Sequence, residues 1–190
     1  MNQLLSDEQL REIYRGDYVE RYERKSLARL ARLMPSTPLA AGDVVADFGC
    51  GNGMLLDLVH DRVRAYHGVD FSAEFIASAR RRAERLGAAN ARFHVSSIED
   101  FCRRHCDTFD VAFAMDLAEH VYNPSWLAIL GAIRSSLKPG GRLYLHTPNA
   151  RFIIEILKAR GVLRQHPGHV GVRDAAANRA LPEQAGFERV

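Results

Sequence analysis

Short apolar runs recur along this chain, separated by longer stretches in which apolar residues return every three or four positions. The sharpest run, Val44-Val45-Ala46-Asp47-Phe48, stops in glycines spaced two apart, Gly49-Cys50-Gly51-Asn52-Gly53. Valines in a continuous apolar run suit a strand covered on both faces. The glycines allow turns with positive φ and a close backbone approach to a bound molecule. Further runs lie at Arg64–Val69, which ends in Asp70, and at Ala91–Val95, Phe109–Met115 and Arg142–Thr147. Between them, Met54–Val59 can open a helix whose free N–H groups face the glycine turn. Ser72 caps a helix over Ala73–Leu86 that Gly87 ends. Pro124–Ser136 supplies another helix before the turn Lys138-Pro139-Gly140-Gly141. Strands alternating with helices at this period predict an α/β fold with a doubly wound, mostly parallel sheet and right-handed crossovers. Ligands in such sheets bind beyond the carboxyl ends of the strands, where strand order reverses. Asp47, Asp70, Ser96 and Met115 are expected around that crevice.

Upstream of the first strand, Ser6-Asp7-Glu8-Gln9 reads as a capping box opening a short helix to about Arg15. Asp17 with Glu20 can cap a second helix running to Met34, and Pro35 and Pro38 mark the link to the sheet. Tyr14, Tyr18 and Tyr22 recur every four residues, which places Tyr18 and Tyr22 on one helical face. That face either packs on the core or covers the crevice.

Composition narrows the class. A chain of 190 residues, 47% hydrophobic and 26% charged, fits one domain with ample core: residues 1–40 as an N-terminal helical segment, 41–150 as the ligand-binding core and 151–190 as a C-terminal segment. The formal charge of +3 is mild, and the densest basic run, Arg80-Arg81-Arg82, falls on a helix face exposed to water. The three cysteines lack metal-type spacing and fit a reducing cytoplasm. No signal peptide or run of membrane-spanning length is present.

Candidate chemistry begins at the glycine turn. Asp70 follows it by about 20 residues, where an acid at the tip of the second strand accepts hydrogen bonds from ribose hydroxyls. Two details disfavour a dinucleotide: the spacing is G-x-G-x-G, and Asp47 precedes the first glycine by two residues. A carboxylate there repels a pyrophosphate and suits a cation. Asp47–Gly53, Gly68-Val69-Asp70, Phe109-Asp110-Val111 and Leu137-Lys138-Pro139-Gly140-Gly141 together resemble the class I S-adenosylmethionine-dependent methyltransferases, over roughly Asp43 to Pro148.

The resemblance implies a Rossmann-like methyltransferase fold with S-adenosylmethionine as cofactor. It assigns Gly49, Gly51 and Gly53 to the cofactor's backbone cradle, Asp47 to its methionine end and Asp70 to its ribose. Phe71 and Ile98 would enclose the adenine, with Met115 at the crevice, and Ser97 stands where the family often has an aspartate facing the adenine amine. Sheets of this family close with an antiparallel hairpin. Here Ala185–Val190 reads as its first strand, after a helix that Pro182 should break near Leu181. Phe187 and Val190 would then leave an edge uncovered, from which self-association, as a homodimer, is expected.

For the methyl acceptor the best clue is Asp116-Leu117-Ala118-Glu119-His120, whose acids and histidine fall at i, i+3 and i+4. The pattern resembles two methyltransferase groups: quinone-biosynthesis O-methyltransferases acting on catechols, and small-RNA 2′-O-methyltransferases. In the RNA group a later histidine completes a divalent metal site, and His169 matches its place. Asp116, Glu119, His120 and His169 would then bind Mn²⁺ or Fe²⁺, or less readily Mg²⁺, chelating a catechol or vicinal diol. In the metal-free alternative Glu119 and His120 orient the loop, and His120 or His146 acts as base. A small-molecule O-methyltransferase is the favoured reading. The rivals are an RNA ribose methyltransferase, with Arg151, Lys158, Arg160, Arg164 and Arg173 lining a basic groove, and a non-catalytic S-adenosylmethionine-binding protein.

Overall fold

A computed structural model of the chain describes Gln9, residues 12–23 and residues 25–188. Ser6-Asp7-Glu8 of the expected capping box, and Val190, lie outside the described residues. The single helix expected from Asp17 to Met34 is two, α1 (Asp17–Glu23) and α2 (Ala28–Leu33), followed by a 3₁₀ turn at Met34–Ser36. Between the helices the Ser26 hydroxyl accepts the Ala28 N–H at 3.1 Å, a side-chain bond that competes with continuous helix.

Then come β1 (Val44–Phe48), α3 (Leu56–Val59), β2 (Ala65–Asp70), α4 (Ala73–Leu86), β3 (Ala91–Val95), α5 (Ile98–Arg103) and β4 (Phe109–Met115). A 3₁₀ turn at Ala118–His120, α6 (Asn123–Ser136), β5 (Leu137–His146), α7 (Ile153–Ala159) and α8 (Ala175–Gln184) complete the described chain. Ser72 caps α4 by accepting the Phe75 N–H, and Gly87 ends it in the left-handed region, as expected.

The strands form one sheet in the order β3-β2-β1-β4-β5, and every pairing is parallel. Order reverses at β1, where Asp47 stands opposite Gly68 on one side and Phe113 on the other. The two-residue period of a strand divides the core. Val44, Ala46, Phe48, Ala112 and Ala114 face α5, α6 and α8, with Trp126 wholly buried among them. Val45, Val111 and Phe113 face α3 and α4. Met115 keeps the parity of Val111 and Phe113 and packs with them.

The C-terminal segment departs from expectation. α8 runs through Pro182 to Gln184. The proline removes one N–H, but Ala185 N–H reaches Leu181 O at 3.0 Å and Phe187 N–H reaches Pro182 O at 3.0 Å, so the last turn closes regardless. Leu181, Ala185 and Phe187 pack against the α6 side of the core. Phe187 is therefore packed in place and is not displayed on an edge strand.

Candidate active site

Two cavities open at the carboxyl ends of the strands. The first, about 450 Å³, is walled by Gly49, Gly51, Asp70, Phe71, Ser97 and Ile98, with Tyr14, Tyr18 and Tyr22 across it. The second, about 630 Å³, is walled by Lys25, Arg29, Met54, Glu119, His166 and His169 among others. Tyr18, Tyr22, Asp116 and His120 belong to both. The tyrosines so form the cover that their spacing allowed.

Asp70 organises the first cavity. Its carboxylate accepts the Gly51 N–H at 3.0 Å and the Ser72 N–H at 2.9 Å, tying the glycine turn to the tip of β2. Burial raises it to about 6, against the opposing pull of these N–H groups. Gly51 sits at φ +52° and Gly49 at φ +68°, and a Cβ on Gly49 would lie 2.9 Å from the Leu117 side chain. Ser97 caps α5 by accepting the Asp100 N–H, which holds Ile98 at the wall. Phe71 stands partly exposed there.

Other residues expected at the cofactor lie elsewhere. Gly53 is at φ +72°, but a Cβ there would meet Ala79 and Phe93; it lets α4 and β3 pack closely and reaches neither cavity. Met115 also lines neither, because its parity on β4 turns it to the α3–α4 side. Asp47 is buried behind the turn and accepts the Tyr66 hydroxyl at 2.5 Å. Burial, moderated by that bond and added to by the charge of Asp70, raises it to about 7.

On the acceptor side, Asp116 adopts φ +54°, an unusual state for a non-glycine. Its carboxylate is clamped by the Arg29 guanidinium and by His146 Nδ1 at 2.7 Å. Burial opposes ionisation, but these partners hold the group down at about 2. Glu119 is buried, accepts the Thr147 hydroxyl at 3.0 Å, and is raised to about 7 by burial and by the nearby charge of Asp116. His120 Nδ1 lies 3.0 Å from Gly168 O and 2.6 Å from the Tyr14 hydroxyl, which itself donates to Gly168 O at 3.3 Å. A carbonyl only accepts, so the tautomer with hydrogen on Nδ1 satisfies all three contacts and leaves the Nε2 lone pair free. Burial lowers His120 to about 4. His146 lines neither cavity and reaches the site through Asp116.

The expected metal set is thus not assembled. His120 and His169 come together, but with His166, while Asp116 turns to Arg29 and His146, and Glu119 to Thr147. Arg29, Tyr66 and His166 were not expected at the site. The H-x-x-H spacing of His166 and His169 about a Pro-Gly turn was visible in the sequence; nothing there linked Arg29 to Asp116.

Residues 39–180 match the family model described as a methyltransferase domain. The chain belongs to that methyltransferase family. It is 34% identical over 140 residues to a ubiquinone biosynthesis O-methyltransferase of Xanthomonas axonopodis pv. citri, covering 72% of this chain and 55% of that protein. Against the protein of the same name from Glaesserella parasuis the figures are 32% over 146 residues, 73% and 61%. The chain therefore spans a little over half the length of these relatives. In fold it resembles YcgJ of Bacillus subtilis (TM-score 0.72, 23% identity, 84% of this chain and 68% of that one). It also resembles a SAM-dependent methyltransferase from Archaeoglobus fulgidus (TM-score 0.70, 21% identity, 90% and 75%). These likenesses support the parallel Rossmann-like sheet. Among the described residues no helix is long and apolar enough to cross a membrane.

Proposed function

We propose that this chain is an S-adenosylmethionine-dependent O-methyltransferase acting on a small molecule with a catechol or vicinal diol. The observation that carries the reading is the pair of cavities sharing a wall of Tyr18, Tyr22, Asp116 and His120. One bears a glycine turn and a ribose-type acid, the other a buried acid and imidazoles. The first cavity has the size of a cofactor site, and its fit to a cation rests on Asp70, a buried carboxyl on its wall that has no cationic partner among the described residues. When bound, S-adenosylmethionine supplies a methyl group on a sulfonium, which leaves as a neutral thioether. Asp70 would hold the ribose, Phe71 and Ile98 the adenine, and Ser97 the amine side.

The protein's part is chiefly to position the acceptor oxygen in line. Glu119, raised to about 7, is matched to take the hydroxyl proton near neutral pH. His120 borders both cavities, and Asp116, fixed by Arg29 and His146, belongs to the wall they share. The relatives named for ubiquinone biosynthesis O-methylation favour a phenolic acceptor. A basic groove for RNA has less support. Arg173 is buried and donates to the carbonyls of Ala118, Gly171 and Val121. Lys158 is tied to Glu155, and Arg151 to Asp174.

Calorimetry with S-adenosylmethionine tests the cofactor site, and transfer of a labelled methyl group to a catechol, an isolated phenol and a short RNA tests the acceptor. Binding followed by labelling of the catechol is expected. Absence of S-adenosylmethionine binding would overturn the reading as a whole, and labelling of the RNA alone would overturn the acceptor class.

A further inference from the structure

A cluster of imidazoles lies at the rim of the second cavity. One ring nitrogen from each of His120, His166 and His169 falls within 4.8 Å of the other two, and among the described residues this is the one such group of histidine, cysteine or acidic side chains. His169 Nδ1 is buried without a hydrogen-bond partner, a condition that calls for an explanation in a folded protein. The Gly168 carbonyl orients the His120 ring through Nδ1, as backbone carbonyls commonly do for metal-binding histidines. His166 Nδ1 accepts the Gly168 N–H at 3.1 Å. A metal would take that lone pair or, once the proton moves to Nδ1, the one on Nε2.

We propose that His120, His166 and His169 form a three-imidazole site for a divalent transition ion of the zinc, cobalt or ferrous class, its remaining position open to the second cavity. An all-nitrogen set selects such ions over Mg²⁺, which demands oxygen ligands. Three protein ligands and an open position are the arrangement of sites that hold a water or a substrate oxygen.

The geometry is close to assembled. With metal–nitrogen bonds of about 2.0–2.1 Å in a tetrahedron, ligand nitrogens stand about 3.4 Å apart, so the cluster needs to close by about 1.4 Å at most. His166 and His169 belong to one turn, closed by the His169 N–H on His166 O at 3.0 Å, so one small loop movement suffices. The carboxylates that a mixed site would need do not join the cluster: Asp116 is held by Arg29 and His146, and one oxygen of Glu119 accepts the Thr147 hydroxyl.

Binding can be read without turnover. The chelator-stripped full chain is titrated with Co²⁺, following its visible ligand-field bands, with Zn²⁺ as competitor. One equivalent is expected to bind and to be displaced by Zn²⁺ but not by Mg²⁺. His166→Ala and His169→Ala are each expected to weaken Co²⁺ by more than about 100-fold, the upper end of what losing a partner that merely orients a ligand costs. If His169→Ala loses its far-ultraviolet dichroism, His169→Gln replaces it. His94→Ala, in the separate His67–His94 stack, is the control and should bind as the parent does. Failure to bind Co²⁺, binding untouched by either substitution, or binding lost in His94→Ala would each overturn the site. The outcome is independent of the methyltransferase reading, because S-adenosylmethionine calorimetry on the same samples reports that reading separately.

Discussion

Asp70 shows how much one side chain carries. Its two oxygens hold Gly51 and Ser72 by their N–H groups, so it fixes the turn that would cradle a cofactor as well as offering lone pairs to the ribose. Burial raises it to about 6, and a cationic ligand that prefers the ionised form lowers that value on binding. Affinity for S-adenosylmethionine should therefore climb as pH rises through about 6 and level off above it, by no more than about tenfold per pH unit for one proton. Calorimetry across this range should find the slope flattened in Asp70→Asn. A wild-type affinity independent of pH would remove Asp70 from the ligand's surroundings. Asp70 was legible in the sequence because an acid at the end of a second strand has a fixed place in the fold. Asp47 was legible as an acid, but its bond to Tyr66 was not: Tyr66 sits 19 positions away on the neighbouring strand, and only the register of β1 against β2 brings the two together.

Among elements, the sheet was the most readable part, since continuous apolar runs and capped helices are local signals. β2, α4, β3 and β4 lie within a residue of where the pattern places them. Failures came where tertiary contacts overrule local preference. Met115 belongs to the expected crevice by position along β4, yet the alternation of the strand turns it to the opposite layer. Gly53 shares the glycine spacing, but serves packing between α4 and β3. Pro182 should end a helix, and instead α8 continues through it because Leu181 and Ala185 are anchored on the core. That tolerance is testable. Pro182→Ala gives the Asn178 carbonyl back a donor and removes a helix-interior proline, worth about 3 kcal/mol, against about 1 kcal/mol for the freedom gained by the unfolded chain. The variant should be more stable by about 1–2 kcal/mol in urea unfolding, and a loss of stability would mean that the buried ring packs too well to be spared.

On the scale of the whole molecule, several ionisable groups are shifted by burial, and their shifts oppose one another. Asp47 and Glu119 are raised to about 7 and Asp70 to about 6, while burial and neighbouring histidines lower His67 and His169 to about 4, as burial does His120. A carboxylate with a folded pKa above its unfolded one binds its proton more tightly when folded, so it weakens the fold progressively as pH rises between the two values. A histidine with a lowered folded pKa weakens the fold as pH falls from its usual 6.5 toward 4. The two effects meet in the same window, so total stability should change little there, and one group must be isolated to see its share. Glu119→Gln does this: glutamine can still accept from the Thr147 hydroxyl, but it carries no charge to be buried beside Asp116. Relative to the parent, the variant should gain stability as pH rises from the unfolded value of 4.5 to about 7, by at most about 1.4 kcal/mol per pH unit, with a constant difference outside that window. Urea unfolding of both metal-free proteins at about pH 4.5, 6 and 8 gives the comparison directly. A difference that stays flat across the window would show that Glu119 titrates normally, and would remove it as the group matched to take the acceptor's proton near neutral pH.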